Sequence, residues 1–345
     1  MGKTWTQETS AFSAATKCTP RLTRGDIDSA ERRLIGRVWR TPVVRSDHLD
    51  ALSGARLWLK AENLQRGGSF KIRGALLAVE QLAAAGSRGV IAQSTGNHAI
   101  SVAMAAGEYR LPTTLVLPSD AAPAKVRRIR ETGAEVVLVG TRLAERVAVV
   151  EELRELHGYD VVDPYENPHV VAGQGTATAE LISQVAGEGT RLDAVVVPIG
   201  GGSAIAGACL AASGHDVTVV GAEPEAVPAF TAALREQRPV TVPALHTIAD
   251  GLRPDRIGDL PFDLARQSVA TVVTVRESAI ADALRAAFLH SRLVIEPAAA
   301  TALAAALSHA ADCGTDVGVL LSGGNVEPGL VTSLLTDHVD GIPMP

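Results

Sequence analysis

Lys71 is the residue with the most chemistry available to it. It lies in Glu62-Asn-Leu-Gln-Arg-Gly-Gly-Ser-Phe-Lys-Ile-Arg-Gly-Ala75, behind two glycines and at the start of an amphipathic helical pattern. A lysine at a helix N-terminus opposes the macrodipole, which disfavours its charged form. Only the neutral amine attacks a carbonyl, so this placement suits a lysine that bonds covalently to a carbonyl compound. The same residues also suit a solvated lysine in a glycine turn. Lysines are scarce here (Lys3, Lys17, Lys60, Lys71 and Lys125), so one that matters is easy to find.

Three further stretches could bind what such a lysine would react with. In Gln93-Ser-Thr-Gly-Asn-His98, the hydroxyls of Ser94 and Thr95 and the backbone amides from Gly96 onward precede a helix that starts near His98. That arrangement makes a nest for a carboxylate or phosphate, and Asn97 suits a donor to a ring oxygen. Alone, it also reads as an ordinary N-cap. In Pro198-Ile-Gly-Gly-Gly-Ser-Ala-Ile-Ala-Gly207, consecutive glycines allow close approach to a phosphate, and the following helix adds its dipole. Glu223, ending the next strand, invites a dinucleotide-binding oxidoreductase as the competing class. However, G-x-G-x-x-G counted from Gly200 needs glycine where Ile205 stands, so a cofactor phosphate fits better than a pyrophosphate. Ser322-Gly-Gly-Asn325 exposes a hydroxyl at a sheet edge after the last strand, and it also reads as a plain turn. Ile295-Glu-Pro297 and Ala249-Asp-Gly-Leu252 read equally as a helix cap and a turn.

The elements that must position these residues follow from the hydrophobic pattern. From Ile91 onward, β-rich runs alternate with helical ones. Strands are expected at Thr114–Leu117, Glu135–Val139, Asp160–Val162, Ala194–Pro198, Val217–Gly221 and Val317–Leu321. Helices are expected at Ala124–Thr132, Leu143–Leu156, Thr176–Val185, Ser278–His290 and Ala298–His309, with a less regular stretch before the last two. Such alternation predicts a parallel sheet covered on both faces, with ligands beyond the carboxyl ends of the strands. The motifs all fall at such positions.

Composition excludes several classes. With 345 residues, 46% hydrophobic, the chain is long enough to bury a large core and too apolar to be disordered. A net charge of −6 lacks the basic face of a nucleic-acid binder. Every apolar run is broken by charge, glycine or proline well before membrane-span length. Cys18, Cys209 and Cys313 are widely separated and form no CxxC, which points to free thiols in a reducing compartment and against structural zinc. The polar N-terminus lacks the apolar core of a secretory signal, so a cytoplasmic location is expected. Met1–Thr6 formally fits a myristoylation pattern, which short sequences match by chance.

Taken together, the motifs resemble the serine/threonine dehydratase family of fold-type-II pyridoxal-phosphate (PLP) enzymes, which includes serine racemase. Ser69-Phe-Lys-Ile-Arg-Gly-Ala75, Ser94-x-Gly-Asn-His98, the Gly200–Ser203 turn and Ser322-Gly-Gly-Asn325 stand in that family's order and spacing. Arg40-Thr-Pro42, Ala172-Gly-Gln-Gly175 and Ile295-Glu-Pro297 match as well, so the resemblance spans roughly residues 25 to 330. It implies an α/β, tryptophan synthase β-like fold of two open, twisted, mainly parallel sheets flanked by helices. The implied organisation is a flexible tail over 1–22, a large PLP-binding domain from 23–85 plus 164–345, and a small substrate-side domain over 86–163.

The resemblance also implies roles. Lys71 would hold PLP and shuttle the Cα proton, Phe70 would lie against the ring, and Asn97 would bond its 3′-oxygen. Gly200, Gly201, Gly202, Ser203 and Ala204 would cradle the phosphate, and Ser322 would face the pyridine nitrogen. A hydroxyl there leaves that nitrogen largely unprotonated, which favours prompt β-elimination. Ser94, Thr95, Gly96 and His98 would bind the substrate carboxylate. The expected activity is that of an ammonia-lyase converting a β-hydroxy-α-amino acid of the L-threonine or L-serine type to a 2-oxo acid and ammonia. Alternatives within the family are racemisation and specialised β-elimination or β-replacement, and a non-catalytic small-molecule binder is a further one. Related PLP families of cysteine and threonine synthases carry Asp after the lysine, where this chain has Ile72.

Departures from the pattern are Gly67 in place of Thr, Ser203 in place of a fourth glycine, and Thr95. Thr95 keeps the hydroxyl with which racemases protonate the opposite face of Cα. Arg142 could reach a second substrate carboxylate, and it also reads as a solvated arginine. Glu223 matches one carboxylate of the family's divalent-cation site, but the second falls at Ala229, so no metal is expected. Relatives are commonly homodimers, and the same is expected here.

Overall fold

A computed structural model describes residues 22–336 except 95, 120, 122, 141, 142 and 244. The expected tail over 1–22, the myristoylation pattern, Cys18, Thr95 and Arg142 therefore lie wholly or almost wholly outside the described residues. The strands are β1 (Val43–Val44), β2 (Arg56–Ala61), β3 (Val90–Gln93), β4 (Thr113–Pro118), β5 (Glu135–Val139), β6 (Asp160–Val161), β7 (Ala194–Pro198), β8 (Thr218–Pro224), β9 (Val269–Val275) and β10 (Asp316–Leu321). They form two sheets. One runs β1-β2-β10-β7-β8-β9, parallel except for β1, and the other runs β5-β4-β3-β6, parallel throughout.

Parallel sheets need both faces covered, and the central strands show it. All six residues of β10 and all five of β7 are buried. The alanine-rich helix Pro297–Cys313 lies against one face of this sheet, within a core that includes Leu57, Val196, Val220 and Val319. Trp58, Leu181, Val195, Ile205 and Phe262 fill the opposite side. The helices Lys71–Ala84 and Asn97–Glu108 share a further core with Ala92, Leu115 and Leu117 of the smaller sheet.

Two elements differ from the sequence reading. The helix expected from Thr176 begins eight residues earlier, as Pro168–Gly187, capped by the Asn167 side chain. Its glycines are packing positions: a Cβ on Gly173 would meet Gly74 Cα at 2.5 Å, and one on Gly175 would meet the Gly207 carbonyl at 2.6 Å. Glycine's low helix propensity is offset by the close approach of two neighbouring helices. The second is β9, which lies in the stretch read as irregular and forms the edge of the larger sheet. Among the described residues no helix is long and apolar enough to cross a membrane.

Candidate active site

Lys71 is the first residue of the Lys71–Ala84 helix, with Phe70 at the N-cap. The turn before it is held open by Gly67 and Gly68, both with positive φ. A Cβ on Gly68 would also collide with the Asn325 side chain. The turn is stitched to the end of β10: Phe70 N–H donates to the Ser322 carbonyl (3.1 Å), and Gly324 N–H donates to the Gly68 carbonyl (2.9 Å). Ser322 therefore stands at the end of a central strand and is buried, not at a sheet edge as its position after the last strand suggested.

The remaining motifs converge on the same place. Asn325 Nδ2 donates to the Gly67 carbonyl (2.8 Å) and to Asn97 Oδ1 (2.7 Å), and Asn97 Nδ2 donates to Glu296 Oε1 (2.7 Å). Glu296 also caps the Pro297–Cys313 helix, and its backbone N–H donates to the Gly323 carbonyl (3.0 Å). Ser94 Oγ accepts from Gly96 N–H (3.3 Å), which folds the nest ahead of the Asn97–Glu108 helix.

The glycine turn joins from the other side. Gly202 caps the Ser203–Ala212 helix at φ 103°, a conformation only glycine adopts without strain. Lys71 Nζ donates to Ser203 Oγ (3.2 Å) and lies 5.1 Å from the centre of the Phe70 ring. A Cβ on Gly201 would collide with the Tyr165 ring, and one on Gly200 would come within 3.0 Å of the Gly251 carbonyl.

Electrostatics separate the groups. Burial lowers the Lys71 amine to about 8, partly offset by the carboxylates of Asp163 and Glu296. Surrounding protein, rather than the helix dipole invoked from the sequence, is the main cause. Burial, with the Lys71 charge adding to it, lowers His98 to about 3. His98 Nε2 lies 2.8 Å from the Val162 carbonyl, so it must carry the proton, leaving Nδ1 buried as an acceptor with no partner among the described residues. Ser69 Oγ, two residues before the lysine, is likewise buried without a partner among the described residues.

Because His98 is kept neutral, it links stability to acid. An unfolded histidine titrates near 6.5, so between 6.5 and about 3 the unfolded chain binds more protons than the folded one. His98's contribution is complete above pH 6.5 and is lost as pH falls toward 3. The expected slope is about 1.4 kcal/mol per pH unit. Unfolding free energies measured by urea from pH 4 to 6.5 should show that slope reduced in His98→Asn, and equal slopes would refute it.

Glu223 has a different task from the one considered in the sequence. Both its oxygens accept backbone N–H groups, of Phe230 and Thr231, each at 2.9 Å, at the start of the Ala229–Glu236 helix. No group of three or more His, Cys, Asp or Glu able to hold a metal occurs among the described residues.

Two features were missed. Asp163 lies two residues beyond the end of β6, and the rule that ligands sit beyond strand ends would have singled it out. The second is a buried ionic network behind Lys71. Arg73 pairs with Glu62 through Nε (2.8 Å) and Nη2 (2.7 Å) and reaches Glu180 (3.2 Å). Lys60 donates to Glu180, Gln184 and the Thr41 carbonyl.

A desolvated amine, an orphaned buried hydroxyl beside it, and a glycine turn at a helix start that a Cβ would fill suit a group carrying both a carbonyl and a phosphate. Comparison with known proteins agrees. Residues 34–323 match the family model described as pyridoxal-phosphate dependent enzyme. The chain is 37% identical over 317 residues to an L-threonine ammonia-lyase of Thermotoga maritima, covering 91% of this chain and 78% of that one. It is 38% identical over 314 residues to an L-threo-3-hydroxyaspartate ammonia-lyase of a Pseudomonas species, covering 90% and 97%. Among solved structures, maize serine racemase superposes with a TM-score of 0.85 at 33% identity, covering 92% of this chain and 97% of that one. With its motifs gathered at one crevice and this likeness along nearly its whole described length, the chain belongs to the pyridoxal-phosphate dependent enzymes, in the serine/threonine dehydratase family of fold type II.

Proposed function

We propose that the chain is an ammonia-lyase that removes water from a β-hydroxy-α-amino acid of the L-threonine or L-serine type, giving a 2-oxo acid and ammonia. The observation that carries this reading is the Lys71 amine, brought to about 8 by burial and set where four separate motifs meet. Bound PLP supplies the electron sink that acidifies the substrate Cα–H.

In this reading Lys71 Nζ would anchor the cofactor, and its free amine is the base that would take the substrate Cα proton. The start of the Ser203–Ala212 helix, with Gly200, Gly201, Gly202, Ser203 and Ala204, holds the phosphate. Phe70 would pack against the ring, Asn97 would donate to its oxygen, and Ser322 would meet its nitrogen. Ser94, Gly96 and the backbone N–H of His98, with Thr95 from outside the described residues, hold the substrate carboxylate. Loss of the Cα proton and the β-hydroxyl releases water, and hydrolysis of the released enamine through its imine frees ammonia. The reading divides the chain into a large domain of 23–85 plus 164–345 and a small one of 86–163, and takes the enzyme to be a cytoplasmic homodimer. Racemisation is the second reading, favoured by the likeness to a serine racemase and by the hydroxyl of Thr95.

Incubation of the PLP-loaded protein with L-serine, L-threonine and threo-3-hydroxyaspartate, followed by 2-oxo acid assay and chiral analysis, separates these readings. Oxo acid accumulating with one substrate is the expected result. D-amino acid without oxo acid would replace the lyase by the racemase, and neither product with any substrate would overturn both.

A further inference from the structure

The glycine turn is shaped from outside. Gly258 N–H donates to the Gly201 carbonyl (3.1 Å), and a Cβ on Gly202 would meet Pro261 Cβ at 2.6 Å. The segment that carries Gly258 and Pro261 is in turn held by two side chains from the chain beyond β6. Glu166 Oε1 accepts from Asp259 N–H (2.6 Å), and its Oε2 accepts from Leu260 N–H (3.1 Å). The Tyr165 ring lies against both glycines: a Cβ on Gly258 would come within 2.8 Å of its Cδ2, and one on Gly201 would collide with it. Asp163 Oδ1 accepts from Tyr165 N–H (2.8 Å) and Glu166 N–H (2.6 Å), which fixes the turn that presents the two side chains.

A peptide unit is planar and, as throughout the described residues, trans, so its C=O and N–H point to opposite sides. Tying the Gly201 carbonyl to Gly258 therefore aims the Gly202 N–H the other way. No acceptor meets that N–H among the described residues. It stands directly ahead of the Ser203–Ala212 helix, whose first N–H groups have no partner within the helix. Lys71 Nζ, donating to Ser203 Oγ (3.2 Å), lies beside the same turn. Between two glycines the peptide rotates at little steric cost. Turned over, it would set a carbonyl oxygen toward the anion that the turn is read to hold, and the two would repel.

We propose that Glu166 and Tyr165 are positioning residues for the cofactor phosphate, holding the Gly201–Gly202 peptide so that the Gly202 N–H is presented to it. This rests on the reading of Gly200–Ala204 as the phosphate cradle and deepens it by naming what keeps the cradle in shape. The effect is indirect. Glu166 works through the backbone of Asp259 and Leu260, which sets Gly258, and Tyr165 through the two glycines that it touches.

The test titrates the full chain, freed of cofactor, with PLP and with pyridoxal, which has the same ring and aldehyde but no phosphate. Wild type, Glu166→Ala and Tyr165→Ala are compared by the visible band of the bound ligand. Wild type is expected to bind PLP at least about 100-fold more tightly than pyridoxal. Each variant should lower that preference about 10-fold or more through a larger Kd for PLP, with the Kd for pyridoxal within about 2-fold of wild type. Equal affinity of the wild type for the two ligands would refute the phosphate cradle, and the proposal with it. A preference unmoved in a variant that still binds pyridoxal would overturn the positioning role alone. Should one variant lose both ligands alike through misfolding, the other decides, and a parallel loss in both overturns the proposal. Turnover does not enter, so the result stands whether the chain is a lyase or a racemase.

Discussion

Lys71→Ala is expected to reduce turnover by at least about 10⁴-fold and to abolish the visible band of the bound cofactor, with far-UV circular dichroism unchanged. The size follows from two roles resting on one atom, Nζ, which anchors the cofactor and then takes the Cα proton. Alanine at the first position of a helix is well tolerated, so the loss would not come from misfolding. Lys71→Arg is the sharper control, because it keeps the positive charge beside Asp163 and Glu296 but never deprotonates. It should be as inactive as the alanine variant. The sign of the pH effect follows as well. The amine is charged below about 8 and neutral above it, so the cofactor-free protein should capture PLP faster as pH rises, levelling off above about 8. Near-wild-type turnover in Lys71→Ala would sink the lyase and racemase readings together.

Much of this site can be read from residue order because its parts are local motifs at strand ends. The Ala194–Pro198 and Glu135–Val139 strands appear in the sequence with the bounds they have in the fold, each a short β-branched run between turns. The helix starts at Asn97 and Pro297 follow from short signals too, since Gly96 and Glu296-Pro297 mark an entry directly. Packing hides the rest. The Ala172-Gly-Gln-Gly175 stretch looks like a break in a helix and is the tightest part of one, because Gly74 and Gly207 that fit against it lie far away in the chain. β9 is valine and threonine apart from Ala270, yet the stretch before it does not alternate strand with helix, so the repeating pattern gives no reason to place a sheet edge there. Ser322 reads as an edge residue because the last strand in sequence is not the last in space. β10 inserts between β2 and β7.

Nor does spacing reveal charges that pair over long separations. Arg73 meets Glu62 and Glu180, and Lys60 meets Glu180, on three different elements. Read singly, each resembles a solvated surface charge, and nothing local distinguishes Arg73 from the arginines at the protein's periphery. Its meaning comes from its place on the same helix as Lys71, two residues on, with Glu62 directly after β2 and Glu180 on the Pro168–Gly187 helix. The network ties the start of the lysine-bearing helix to a central strand and to a neighbouring helix.

Glu62→Gln is the second large expected effect, and it falls on stability. Glu62, Arg73 and Lys60 are buried, and two carboxylates balance two cations: Glu62 and Glu180 against Arg73 and Lys60. Arg73 holds the Glu62 carboxyl below its ordinary range despite the burial that pushes the other way, and Thr41 Oγ donates to it at 2.6 Å. Burial lowers the Lys60 amine, opposed by the carboxylates of Glu180 and Glu62. Removing the Glu62 charge leaves an excess cation without solvent, for which a loss of about 3–5 kcal/mol in unfolding free energy is expected. Replacing both partners by leucine should cost less than the sum of the two single changes, because no uncompensated charge then remains. Urea unfolding of the wild type, Glu62→Gln, Glu62→Leu, Arg73→Leu and the double leucine variant measures both quantities. A Glu62→Gln protein within about 1 kcal/mol of wild type would mean that water reaches the pair and that it behaves as a surface ion pair. Glu62 and Arg73 are fully enclosed between β2 and the two helices, so the larger loss is the expected result.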